Sequence, residues 1–96
     1  MNTVVLSGRG YTIVPVLRVL RMSGLAKSRR AALNHWRFRE VYVNGERMEN
    51  ENDVLMVDTP YRLEIRPLNG TPSRSLEVTV SQYPFHKFLK NNKIVG

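Results

Sequence analysis

Residues 23–45 read Ser-Gly-Leu-Ala-Lys-Ser-Arg-Arg-Ala-Ala-Leu-Asn-His-Trp-Arg-Phe-Arg-Glu-Val-Tyr-Val-Asn-Gly. Ser28 predicts a helix start, because its hydroxyl can accept from an orphan backbone N–H two or three residues on. About ten residues of helical pattern follow. On a wheel of 100° per residue, Ala32, Leu33 and Trp36 share a side that can pack. Arg30, Asn34 and Arg37, at i, i+4 and i+7, form a stripe that cannot. Val41-Tyr42-Val43 reads as a strand, and Asn44-Gly45 as a two-residue hairpin turn, since both types tolerate positive φ. One basic stripe on one helix fits a solvated face as well as a ligand surface.

Upstream, Pro15 suits the first position of a helix, where its missing N–H costs nothing. Val16, Leu17, Val19 and Leu20 then make an apolar face, Arg18 and Arg21 lie on the opposite one, and Gly24 ends the helix. Two short helices, each with one apolar and one arginine-bearing side, tip the balance toward a basic binding surface. Val4-Val5-Leu6 and Tyr11-Thr12-Ile13-Val14 predict two short strands around the turn Ser7-Gly8-Arg9-Gly10. That Gly-Arg-Gly lacks the lysine and hydroxyl residue of a phosphate loop.

Downstream, Glu46-Arg47-Met48 is expected to pair back on 41–43, residues 49–53 to form a polar loop, and Val54 to Val57 a short strand. Tyr61, Leu63 and Ile65 alternate with charged residues, and Leu76, Val78 and Val80 with Glu77, Thr79 and Ser81, the period of half-buried strands. Pro67 to Arg74 is the turn-rich link between them. The strand at 75–81 is expected at a sheet edge, open to pairing with a second copy. From Pro84, Phe85, Phe88 and Leu89 fall on one helical face opposite Lys87 and Lys90, so a short C-terminal helix is expected, docked on the fold or on a partner.

The chain has 96 residues, 42% of them hydrophobic, which suits one domain (1–96) with one modest core. With no cysteine there is no disulfide, thiolate metal site or thiol nucleophile, and two distant histidines do not make a metal centre. No apolar run approaches the roughly 18 residues of a membrane helix, and the amino end lacks a signal pattern. The expectation is a soluble, cytoplasmic protein without metal or other cofactor.

The net charge of +7 is unevenly spread. Residues 1–39 hold eight basic residues and no acid, residues 40–58 hold six acids against Arg47, and residues 59–96 hold six basic residues and two acids. A surface built from the first 39 residues should attract polyanions, nucleic acid first and an acidic protein surface second.

The run Ser23-Gly24-Leu25-Ala26-Lys27-Ser28-Arg29, a helix, and then Val41-Tyr42-Val43-Asn44-Gly45-Glu46-Arg47-Met48 resembles the S-four type RNA-binding domain, or alpha-L RNA-binding motif. This module occurs in a small-subunit ribosomal protein, in pseudouridine synthases, at the carboxyl end of tyrosyl-tRNA synthetases, and in small heat-shock and ribosome-quality-control proteins. The likeness spans about residues 13–66, leaving 67–96 as an extension. It implies an α+β fold: two short helices packed on a small antiparallel sheet, here with extra strands at both ends. It also implies that the helix pair and the adjoining Asn-Gly turn bind RNA. By position, Lys27, Ser28 and Arg29 match the family's basic helix start, and Asn44 and Gly45 its turn. Arg30 and Arg37 join them from the wheel, with Asn34 between them as a hydrogen-bonding residue and Arg18 and Arg21 from the basic face of the first helix. The chain departs from the pattern at Pro15-Val16-Leu17, where Arg-Leu-Asp is common, at Ala31-Ala32-Leu33, where Glu-Ala-Arg is common, and at Arg39, often a glycine.

No enzyme constellation emerges. His35 and His86 stand alone in sequence, the acids of 46–58 do not fit a calcium loop, and no serine sits in a nucleophile elbow. The expected function is a non-catalytic module recognising structured RNA, whether ribosomal, transfer or guide RNA, or a ribonucleoprotein. The alternative is a protein-interaction module or inhibitor, of host or viral kind, docking on an acidic protein or ribonucleoprotein, with the aromatic tail as anchor. An orphaned domain of a larger enzyme acting in trans is a third reading.

Overall fold

The computed structural model describes residues 2–6, 13–82 and 93–95. The class is α+β. Strands β1 (Asn2–Leu6) and β2 (Ile13–Pro15) lead into helices α1 (Val16–Met22) and α2 (Arg29–Arg37). Strands β3 (Val41–Val43), β4 (Glu46–Arg47), β5 (Val54–Met56), β6 (Pro60–Ile65), β7 (Arg74–Gln82) and β8 (Lys93–Val95) follow. Six strands form one sheet in the order β4-β3-β6-β7-β1-β8, while β2 and β5 pair as a separate antiparallel ribbon.

Local chemistry sets the helix ends. Ser28 is extended (φ −156°, ψ 171°) and its hydroxyl oxygen accepts from Ala31 N at 3.1 Å, capping α2. Pro15 sits one position before α1 rather than in it, and the first helical amide, Val16 N, donates to Asp53 O at 2.9 Å. That bond ties the start of α1 to the connection before β5. Gly24 takes the left-handed conformation (φ 89°) that stops α1, and Ala26 N reaches back to Leu20 O at 3.0 Å.

At the end of α2 the left-handed position falls on Arg39 (φ 58°). A Cβ in this region costs about 1–2 kcal/mol. Arg39→Gly is therefore expected to raise stability by roughly 0.5–1 kcal/mol, the gain in strain offset by the extra freedom of glycine in the unfolded chain. A higher midpoint of urea unfolding at unchanged slope checks this.

The hairpin β3–β4 has Tyr42 opposite Arg47 and Val43 opposite Glu46, with both turn residues, Asn44 (φ 51°) and Gly45 (φ 84°), left-handed. Asn44 is also clamped to β6: its N donates to Arg62 O, and its Oδ1 accepts from Arg62 N, both at 2.8 Å. Val41, Leu63, Ile65, Val78 and Val80 are buried on one face of the large sheet. Against them pack Val16, Val19, Leu20 and Met22 of α1, Ala32 of α2, and Val14 and Leu55 of the ribbon. On β6 and just beyond it, two arginines share one carboxylate. Arg66 and Arg62 lie 3.1 and 3.9 Å from Glu64, and the Arg66 guanidinium stacks 3.9 Å from the centre of the Tyr42 ring. The hydrogen bond from Arg66 holds the Glu64 carboxyl below the usual glutamate value of 4.5.

The two short strands expected around the turn at 7–10 are present as β1 and β2 but are not neighbours: β1 lies between β7 and β8, parallel to both, whereas β2 belongs to the ribbon. An apolar run such as Val4-Val5-Leu6 marks a strand but not its partner. The sheet is antiparallel from β4 through β3 and β6 to β7, as expected, and parallel where the added strand β1 pairs with β7 and β8. Strand β7 lies inside the sheet order rather than at its end, with β6 covering residues 74–79 on one side and β1 covering 78–82 on the other, so among the described residues only 74–77 lack a second partner strand on the β1 side. The helix expected from Pro84, together with His86, lies outside the described residues, and a strand at Lys93–Val95 was not foreseen. Among the described residues no helix is long and apolar enough to cross a membrane.

Candidate nucleic-acid interface

The two helices pack so that their arginine faces meet. Arg18 and Arg21 of α1 and Arg29, Arg30 and Arg37 of α2 line one open groove of about 1030 Å3. The spacing makes this possible: 29, 30, 33, 34 and 37 share one side of α2, and 17, 18 and 21 one side of α1. Leu17, Leu33 and Pro15 give the groove an apolar lining, Asn34 adds an amide, and Glu51 and Asn52 enter from the connection before β5. Arg18 is half-buried and the other four arginines are exposed.

Among the described residues none of these five guanidinium groups is in an ion pair, although Arg62 and Arg66 on the sheet both are. Only Glu51 brings an opposite charge to the groove. Like charges gathered without counter-charges work against the compact state, and screening over about 8 Å at physiological salt only softens this. This side-chain set is held on one concave surface, where its guanidinium groups offer positive charge and N–H donors.

The residues singled out from sequence divide into two groups. Arg18, Arg21, Arg29, Arg30, Asn34 and Arg37 come together at the groove. Lys27, Ser28, Asn44 and Gly45 are exposed but do not line it. The Ser28 hydroxyl oxygen is engaged in the helix cap and Asn44 Oδ1 in the clamp on β6, so both side chains do structural work first. Leu33 was expected to pack with Ala32 and Trp36. Instead, Ala32 is buried and Trp36 rests on the core, while Leu33 turns to the arginines. Its place three residues after Arg30 was a usable signal. Nothing local marks Glu51 and Asn52, which arrive through the β2–β5 pairing and the Val16–Asp53 bond.

Beside the groove, His35 Nδ1 lies 2.7 Å from Glu40 Oε1, and Glu40 Oε2 accepts from Leu68 N at 3.1 Å. Glu40 is buried, so this carboxylate joins the end of α2 to the β6–β7 connection. Among the described residues there is no group of three or more histidines and carboxylates placed to hold a metal ion. Neither a family model nor a curated protein matches this chain.

Proposed function

We propose that the protein is a non-catalytic module that binds structured RNA along the groove between its helices, a member, divergent in sequence, of the S-four type. The observation that carries this is the convergence of five unpaired arginines from α1 and α2 on one concave surface. Guanidinium groups match phosphate oxygens with two parallel N–H donors each. Contacts of this kind fix position without reading sequence. Asn34 adds a hydrogen bond to a phosphate or a 2′-OH, so the shape of an RNA helix is read more than its bases. Leu17 and Leu33 exclude water beside the guanidinium groups, which strengthens each contact. Glu51 repels phosphate from its own side and confines the backbone to the arginine wall. Such a module acts in the cytoplasm, on ribosomal, transfer or guide RNA.

A salt titration tests the reading. Five neutralised phosphates give a slope of log affinity against log salt of roughly −3.5 to −4.5. A slope near zero with a folded RNA hairpin would sink it. The second reading, docking on an acidic protein or ribonucleoprotein, draws on the outer face of the β2–β5 ribbon. There Ile13 pairs with Met56 and Pro15 with Val54, and all four are exposed. The aromatic tail, Tyr83 to Phe88, lies outside the described residues.

A further inference from the structure

The binding surface does not end at the arginines. Asn34 also lines a second recess, of about 580 Å3, formed with Ala31, His35, Phe38, Glu40 and Leu68. Phe38 and Leu68 expose 62% and 75% of their surface, more than any other large apolar residue described. Phe38 directly follows Arg37, and Ala31, Asn34 and Phe38 stand at i, i+3 and i+7, so the recess opens on the face of α2 next to the arginine stripe.

The polar groups here differ in kind from those of the groove. None of the lining residues is a lysine or arginine. His35 Nδ1 is held by Glu40 Oε1 at 2.7 Å, so Nε2 is the ring nitrogen left over, and the Asn34 amide brings both a donor and an acceptor. Asn69, also at the recess, accepts from Thr71 N through Oδ1 at 3.1 Å, which leaves its NH2 as a donor. An aromatic face, an aliphatic neighbour and donors and acceptors of both kinds suit a flat, neutral, polar-edged ring. They do not suit a phosphate.

We infer that this recess receives one unpaired nucleobase, stacked on Phe38, from the same RNA whose backbone lies in the arginine groove. The inference rests on the RNA reading above and narrows it: the ligand is a stem carrying a bulged or looped-out nucleotide. Continuity with the cationic groove through Asn34 and Arg37 favours a base over the apolar side chain of a protein. A base already out of the stack is also the least costly to capture.

The experiment compares two RNA stems, one fully paired and one with a single bulged nucleotide replaced by 2-aminopurine, each titrated with the full chain. The bulged stem should bind about 5- to 100-fold more tightly, with quenching of the 2-aminopurine fluorescence as it stacks. Phe38→Ala should remove that preference and the quenching while leaving the paired stem within about two-fold, and Phe38→Trp should restore both. Phe38 is exposed, and its backbone bond to Asn34 O at 3.0 Å survives the substitution, so the variants should keep the fold, as unfolding curves will check. Equal binding of the two stems by the parent, or an equal loss on both from Phe38→Ala, overturns the inference and leaves the groove reading standing. In that event the recess is open to a protein side chain instead. Failure of both stems to bind with any salt dependence removes both readings together.

Discussion

Replacing Arg30 and Arg37 together by alanine should weaken binding to structured RNA by roughly 10- to 30-fold at about 0.15 M salt. The estimate follows from counterion release: each phosphate contact carries about 0.7–0.9 powers of the salt concentration, and two contacts are lost. The slope of log affinity against log salt should become shallower by about 1.4–1.8 over the same range. The loss should be similar for unrelated RNA helices, because phosphate contacts do not read sequence. Both side chains are exposed and outside any ion pair among the described residues, so thermal unfolding should hardly move. Removing two like charges from a cationic cluster could only ease self-repulsion. A double variant that binds RNA as well as the parent would show that the groove is not the site. One that loses binding only for one RNA sequence would show base readout where backbone contact is proposed.

The largest effect on stability is expected at Glu40. Its carboxylate satisfies His35 Nδ1 at 2.7 Å and Leu68 N at 3.1 Å, while its backbone accepts from Arg66 N at 2.7 Å and donates to His35 O at 2.9 Å. Glu40→Ala keeps the backbone bonds and removes both side-chain ones. The Leu68 amide and His35 Nδ1 are then left without their partner beside a cavity. Breaking a buried, hydrogen-bonded pair of this kind costs about 2–3 kcal/mol once the partial exposure of His35 is allowed for. In a domain of this size that lowers Tm by roughly 10–20 °C. His35→Ala should cost less, since Glu40 keeps the Leu68 amide, and the double variant should fall short of the sum because the two residues share one interaction. A change of Tm within about 2 °C for Glu40→Ala would mean that the carboxylate is solvated and does not tie α2 to the β6–β7 connection. The same substitution should loosen the recess around Phe38, whose position depends on how α2 ends.

Much of the fold was legible because its signals are local. The Ser28 cap, the Gly24 stop, the Asn44-Gly45 turn and the period-two runs at 61–65 and 76–80 depend on the conformational limits and side-chain reach of a few neighbouring residues. The arginine stripe of α2 was legible for the same reason, as helical spacing alone puts Arg30, Asn34 and Arg37 on one side. That Arg39 takes a left-handed conformation was not signalled by its own type, because arginine has no preference for positive φ. It follows from where α2 must stop for β3 to enter the sheet.

The amino-acid sequence by itself determined where the two helices and the strands within residues 13–82 lie, where that stretch turns, and that the first 39 residues carry unopposed positive charge. Tertiary structure alone decided which strands become neighbours. It set β1 parallel to β7, placed β7 in the sheet interior, and made a separate ribbon of β2 and β5. Tertiary structure also decided that the arginines of two helices face one groove with Glu51 beside them, and that Leu33 joins them there. The physical reason is range. Caps, turns and periodicity are fixed by bonds within a few residues, whereas strand partnership and the meeting of two helix faces depend on how distant apolar surfaces share one core.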